Sequence, residues 1–406
     1  MRYVSEGRVK DILGLSTEDK PHLTGTGHTF LEVDTGLKAV WDGERWVEDV
    51  SAIYAQSKGL ENYFESLRGI GLLDEKGNPY GVKQINGKPR VSTIPYLHDI
   101  SSLHISGKSI WSKVGYNGDV DGGTEDIWAV GGLYVWPTAE MQMEVYSDSE
   151  RDQQQAITAF ATSDGGTKTK VTVTANHGLT NGDKVTISGC ATAAYNTVHI
   201  IEQVNTNFFV IPVAYVVTAA AGIARGPGVN VVTIFYLNAA GVEKTEDVTI
   251  GPKVAVATVA TDIYRINAFR SKTVGNTGKA VGNIDLRNLA DTPIYARIAP
   301  GYTRSRNSAY TVPFGKTLFI TGATFSSVGI ATGKDVIFTL RTTYDDINNS
   351  MRTFFVPLIE IGLMDGAVHI PFDIPLRLPA GVDMIVTGLA GSDNAKCSSI
   401  LRGWLE

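Results

Sequence analysis

The chain has 406 residues, of which 43% are apolar and only 19% charged, with a formal net charge of −6; that length suits two or three domains. The 36 Lys and Arg against 42 Asp and Glu form no basic cluster of the kind that tracks phosphates, which argues against a nucleic-acid binder. Two cysteines, Cys190 and Cys397, are too few for a disulfide framework and read as unpaired, and no apolar run approaches the ~18 residues of a membrane helix.

In chain order, the opening MRYVSEGRVKDILG lacks the apolar stretch and cleavage site of a secretion signal, so synthesis in a cytosol is expected. HTFLEVDTGLKAVWDGERWVEDV then predicts a three-stranded meander: residues 30–34, a turn at Thr35-Gly36, residues 37–41, a turn at Asp42-Gly43, and residues 45–47. Such a meander is too small to be stable alone, so Trp41 and Trp46 are expected to pack on something further, such as a neighbouring subunit. Residues 50–73 carry the one helical pattern, with Ser51 as cap, Ile53, Tyr54, Leu60, Tyr63, Phe64 and Leu67 at helical spacing, and Gly69 and Gly71 at its end. Residues 74–107, rich in Gly, Asn, Lys and Pro, read as an extended arm. Together 1–107 is expected to be an N-terminal anchor.

From Ser109 onward short strands follow one another at 8–12-residue spacing, the pattern of a sandwich or barrel. One stretch stands apart. In 156–225, Val171, Val173 and Ala175 alternate with Thr172 and Thr174, Asn181-Gly182 marks a tight turn, and Val185 and Ile187 resume the alternation. The strands predicted at 140–147 and 226–238 would be joined by a short polar loop were 156–225 removed, so this stretch reads as a small β domain inserted at a loop tip. The expected division is 1–107, a first β-sandwich of 108–155 plus 226–292, the inserted module 156–225, and a C-terminal jelly-roll-like sandwich at 293–406. The fold class is all-β: tandem β-sandwich and jelly-roll domains with an inserted small β module, beside the N-terminal hairpin, helix and arm.

Catalytic signatures are missing. There is no GxSxG and no phosphate loop, and TVGNTGKAVG (273–282) lies between strands and reads as a hairpin loop. The seven histidines form no HxxxH pair; His98 and His104 fall in the polar arm, and His177 at the mouth of a turn. The acidic loop 117–126 offers Asp119, Asp121, Glu125 and Asp126 but lacks the order of an EF-hand; a solvated loop is the simpler reading, a structural cation the alternative. Residues 342–349 are a weaker version of the same pattern. No 20–30-residue repeat suggests the β-solenoid of a polysaccharide-cleaving tailspike. The sequence therefore names no catalytic, cofactor-binding or metal-ligating residue, and a structural or binding role fits better than an enzyme.

Two parts resemble known families. VTVTANHGLTNGDKVTISG followed by YNTVHIIEQVNTNFFVIP is similar to the small β-barrel or Ig-like inserts of tailed-bacteriophage virion proteins. LEVDTGLKAVWDGERWVED, DIWAVGGLYVWPTAEMQMEVYS, GNIDLRNLADTPIYARIAPGYTRSRNSAYTVPFGKTLFITGATFSS and FDIPLRLPAGVDMIVTG resemble phage virion proteins labelled structural, decoration or tail-fibre proteins. The resemblance implies a non-enzymatic virion protein without cofactor. Its N-terminal region would attach it to capsid, connector or tail proteins as a capsid decoration or head fibre, most simply as a homotrimer. The alternative is a receptor-binding tail fibre or adhesin recognising a host surface glycan.

Overall fold

Alternating β-branched and polar residues become strands through most of the computed structural model. The structure describes residues 2–3, 11–15, 17–21, 28–32, 38–41, 44–48, 84–85, 88–89, 108–174, 176–330, 332, 334–345, 348, 350–391 and 394–406. The chain divides into two units, Met1–Pro95 and Tyr96–Glu406.

In the first unit five strands pair in chain order: Arg2–Tyr3, Asp11–Gly14, Thr29–Glu32, Lys38–Trp41 and Trp46–Glu48. The second and third run parallel and the other pairs antiparallel. The expected meander is thus present, with bounds shifted by a residue or two, but it is extended by two upstream strands. Ile12 from the added strand is buried with Phe30 and Trp41, and Trp46 meets Phe30 and Trp41 edge-on at 5.8 and 5.5 Å. The Trp46 Nε1–H donates to the Pro21 carbonyl at 2.8 Å. The meander therefore finds packing partners within its own unit. The helix predicted at 50–73 lies outside the described residues, as does the arm, apart from the antiparallel pairing of Gln84–Ile85 with Lys88–Pro89.

The second unit is built around a jelly roll. Its strands are β1 (Ser109–Val120), β2 (Thr124–Asp126), β3 (Leu318–Val328), β4 (Val336–Asp345), β5 (Ser350–Leu363), β6 (Gly366–Leu378), β7 (Asp383–Ala390) and β8 (Ala395–Leu405). One sheet has the order β6-β3-β8-β1; in the other β2 pairs β7, which pairs β4, which pairs β5. Tyr310–Thr311 extends the second sheet beside β2 on β7. This is the two-sheet, eight-strand arrangement of a jelly roll. Its core holds Val120, Ile127, Leu318, Ile320, Phe325, Val336, Phe338, Leu340, Val386 and Leu401.

Most of the chain between β2 and β3 is an excursion. The chain leaves at Ile127-Trp128 and returns at Asn307-Ser308, and these two points are bridged: Trp128 pairs antiparallel with Asn307, and Ser308 N–H donates to Ile127 O at 3.1 Å. Gly115 on β1 lets them cross closely, because a Cβ there would collide with the Ile127 carbonyl, Ser308 and Ser399. The excursion contains a sandwich of two sheets, ordered Val256–Ala257, Met143–Ser147, Ile284–Asn288, Ile294–Ile298 and Glu243–Thr249, Val229–Leu237, Arg265–Val274. Met143, Val145, Val232, Ile234, Phe269, Ile284, Leu286 and Ile298 fill it.

That sandwich is itself interrupted. Gln154 pairs with Arg225 and Gln155 with Ala224, so the segment between them leaves and returns at one point. It forms a six-stranded sheet, in the order Val198–Ile200, Lys184–Ser188, Ile223–Arg225, Gln154–Ser163, Lys168–Val173, Phe208–Ile211. Glu202 bridges Val210 and joins the two ends into a small barrel. Val171, Val185, Ile187, Tyr195, Ile201 and Phe209 make its separate core. At its root the Asp152 carboxylate accepts from Val229 N–H (2.8 Å), Val281 N–H (3.0 Å), Gly282 N–H (2.7 Å) and Ser147 Oγ (3.1 Å). A Cβ on Gly228 or Gly282 would strike the Asp152 or Asp148 carboxylate, so these glycines serve a close backbone approach.

The strand pairing redraws the expected domain boundaries. Ser109–Val120 and Thr124–Asp126, expected in the first sandwich, pair with β8 and β7 of the jelly roll. Ile294–Ile298, expected in the C-terminal domain, pairs with Ile284–Asn288 of the first sandwich. Residues 273–282 do not form a hairpin loop; they cross from one sheet of that sandwich to the other. In each case alternation identifies a strand but carries no information about a partner far away in sequence.

Candidate functional site

The junction between the jelly roll and the inserted sandwich brings together the residues with most chemical potential. The strand Arg265–Val274 supplies most of the contacts. Arg265 forms a fork with Asp383 at the start of β7 (Nε to Oδ1 3.1 Å, Nη2 to Oδ2 3.1 Å) and donates from Nη1 to Pro137 O at 2.7 Å. Its guanidinium lies 3.9 Å from the centre of the Tyr264 ring and 5.3 Å from that of Trp136, and Thr311 Oγ1 donates to Asp383. Both charged side chains are largely buried, at 13% and 14% exposure, so the pair is held by its full set of hydrogen bonds. Asn267 exchanges two 2.9 Å hydrogen bonds with the Thr311 backbone.

Next to these contacts lies a cavity of about 320 Å³. Its walls are β1 around Lys113, the strand Arg265–Val274, and the returning segment 304–307. On β1, Trp111 is buried and meets Tyr310 edge-on at 5.1 Å. Two residues further on, Lys113 falls on the same side of the strand. Its Nζ donates to the Asn267 carbonyl at 2.6 Å and lies 5.7 Å from the centre of the Tyr310 ring. Burial pushes this amine down to about 7 from an ordinary 10.5, because an ammonium is poorly solvated away from bulk water. Arg270 and Arg304 also line the cavity and are exposed; their backbones stand directly opposite each other in an antiparallel bridge. Like charges so placed repel. The cavity lining contains no carboxylate, and the Ser305 hydroxyl in its wall is buried without a hydrogen-bond partner.

The residues weighed from sequence lie elsewhere. The acidic loop is internally occupied. Glu125 accepts from Asn117 Nδ2 (2.8 Å) and Gly132 N–H (2.9 Å), Asp126 from Tyr134 N–H (2.6 Å), and Asp121 from Asn394 N–H (3.3 Å). Among the described residues no group of three His, Cys, Asp or Glu side chains could hold a metal ion. Asp126 is buried, which pushes its carboxyl up to about 6 against the opposing hydrogen bond from Tyr134. Asp345 of the second acidic stretch is bound by Asn348 and Arg352, and these hydrogen bonds hold it down to about 2.

His177 is a buried structural residue. Its Nδ1 accepts from Leu179 N–H at 3.0 Å, its Nε2 meets Phe208 O at 3.1 Å, and burial holds its pKa below the ordinary value. His98 and His104 lie outside the described residues. Cys190 and Cys397 are free and buried, one in the barrel and one in β8. Among the described residues no helix is long and apolar enough to cross a membrane.

No protein-family model matches the chain, and no curated protein is significantly similar to it in sequence. Among solved structures, infectious bursal disease virus of the Gx strain aligns over 73% of this chain and 76% of its own at 8% identity, with a TM-score of 0.15. The Gt strain of the same virus aligns over 77% of each chain at 8% identity, with a TM-score of 0.16.

Proposed function

We propose that this chain is a non-enzymatic structural protein of a tailed bacteriophage particle. In this reading its N-terminal unit attaches to the outside of the capsid or to the head–tail junction, and the second unit is displayed as a decoration or head fibre. The observation that carries the proposal is the nesting of the second unit. A jelly roll, a scaffold that serves capsid and lectin domains, holds a sandwich in one connection, and that sandwich carries a barrel of the type that the sequence 171–211 resembles. Each inserted layer has its own core, an arrangement suited to projecting domains outward. The nested fold supports the same reading as the sequence resemblance.

The same reading makes the protein a homotrimer on the particle. At two of the edges of the jelly roll, Phe354 on β5, Ile374 on β6 and Met364 in the turn between them are 61%, 84% and 65% exposed, and sister subunits would cover this apolar rim. Pro357, Pro371 and Pro375 on these strands discourage open-ended strand addition.

The test is to purify particles from a lysate of a host producing this protein, then locate and count it by cryo-EM with a labelled antibody. Copies fixed on the shell or neck in multiples of three support the proposal. Its absence from washed particles overturns it. A second reading, a receptor-binding fibre for a host surface glycan, is favoured by the cationic cavity; copies only at the tail tip would select it.

A further inference from the structure

We infer that the cavity between the jelly roll and the inserted sandwich is a binding site for an oxyanion, a carboxylate or phosphate, on a ligand about the size of one sugar ring. Three observations converge on it. Three cationic residues, Lys113, Arg270 and Arg304, line one cavity that has no acidic residue in its wall, and the Arg270 guanidinium rests 4.0 Å from the centre of the Phe235 ring. None of the three makes an ion pair among the described residues, in a protein where Arg265, Arg287 and Arg297 are each matched with a carboxylate. Arg270 and Arg304 are placed opposite each other in a bridge, an arrangement that an anion between them would turn from repulsive to attractive.

Shape agrees with charge. A volume of about 320 Å³ stands at the lower end of small-ligand pockets, ~300–1,000 Å³. Ile110, about half exposed, gives part of the wall an apolar surface against which a ring can rest. Lys113 has no acidic neighbour to keep it charged, and an anion in the cavity would supply one. The inference does not depend on where the protein sits on a particle.

The experiment is isothermal titration calorimetry on the full chain, with inorganic phosphate, glucuronate and glucose 6-phosphate as probes and glucose as the neutral control. Each is repeated with Lys113→Met and with Arg304→Gln. Saturable binding of at least one anion, none of glucose, and a loss on the order of tenfold or more in each variant is expected, since a hydrogen bond to a charged group contributes ~1.5–3 kcal/mol. Phosphate binding as tightly as glucose 6-phosphate would show that the oxyanion alone is read; tighter binding of the sugar anions would show that the ring is read as well. No saturable binding of any anion at concentrations of about 10 mM, which excludes Kd values in the range of ~1 mM, overturns the proposal. So does binding that both variants retain. Arg304 is exposed, so its replacement leaves the fold intact and keeps the result readable.

Discussion

Replacing Lys113 by Met should make the protein more stable at neutral pH. Holding the amine down from 10.5 to about 7 corresponds to an upper bound of ~4–5 kcal/mol, at 1.36 kcal/mol per pH unit. The bound is not reached in full, because Lys113 keeps part of its surface in the cavity. Methionine retains the apolar stem and gives up the hydrogen bond to the Asn267 carbonyl, worth ~1 kcal/mol net. The expected gain at pH 7 is therefore ~2–4 kcal/mol.

The direction with pH is fixed. The folded amine titrates below the unfolded one, so this group's contribution to stability is complete above about 10.5 and is lost as pH falls through about 7. The difference between variant and parent should accordingly shrink as pH rises from 7 to 10, by at most ~1.4 kcal/mol per unit. Guanidinium unfolding at pH 7, 8.5 and 10, followed by tryptophan fluorescence and reading the transition that includes the jelly roll, measures it. A variant less stable at pH 7, or a difference that does not change with pH, would show that the amine is solvated and the reasoning wrong.

Other substitutions test the remaining architecture. Asp126 has its folded pKa raised to about 6, so its contribution to stability is full below about 4 and is lost as pH rises through 6. Relative to Asp126→Asn, the parent should gain up to ~3 kcal/mol between pH 7 and 4, and parallel unfolding midpoints across that range would contradict this. Asp152→Ala strands three backbone donors at the barrel root and should cost ~3–5 kcal/mol; hydrogen exchange at Val229, Val281 and Gly282 should accelerate, and unchanged protection there refutes the role. Arg265→Ala leaves Asp383 buried without its charge partner and should cost ~3–5 kcal/mol. Calorimetry should then separate the unfolding of the inserted sandwich from that of the jelly roll, and an unaltered profile would mean that the pair does not couple them.

Local chemistry was well written into the sequence. The alternation at 171–175 and 185–187 and the Asn181-Gly182 turn identified an inserted β module, and its strands leave and return within one residue pair, Gln154 with Arg225. The larger insertion was hidden. Nothing in SIWSKVGYN announces that it will pair with Ala395–Leu405, because a ladder closed over such a distance leaves no trace in either strand alone. The meander at 29–48 needed Ile12, whose short strand has no turn signal to mark it. For the cavity one signal was available. Lys113 shares the parity of Trp111, Gly115 and Asn117, all of them buried, and a lysine on the inward side of a strand is unusual enough to single out. Arg270 and Arg304 could not be linked to it, since only the folded return of the chain sets them face to face.

The pairing of β1 with β8 also has a consequence in time. On a ribosome that adds ~5–20 residues per second, roughly 280 residues separate the two partners, a wait on the order of tens of seconds. The barrel and then the inserted sandwich can complete their cores during that interval, while β1, with Ile110 half exposed and Trp111 lacking its final neighbours, remains an open edge. Nascent jelly rolls crowded on one message would meet each other's open edges before their own last strand arrives. Synthesis speed through residues 310–395, rather than the stability of the finished fold, would then govern how much of this protein reaches its native form.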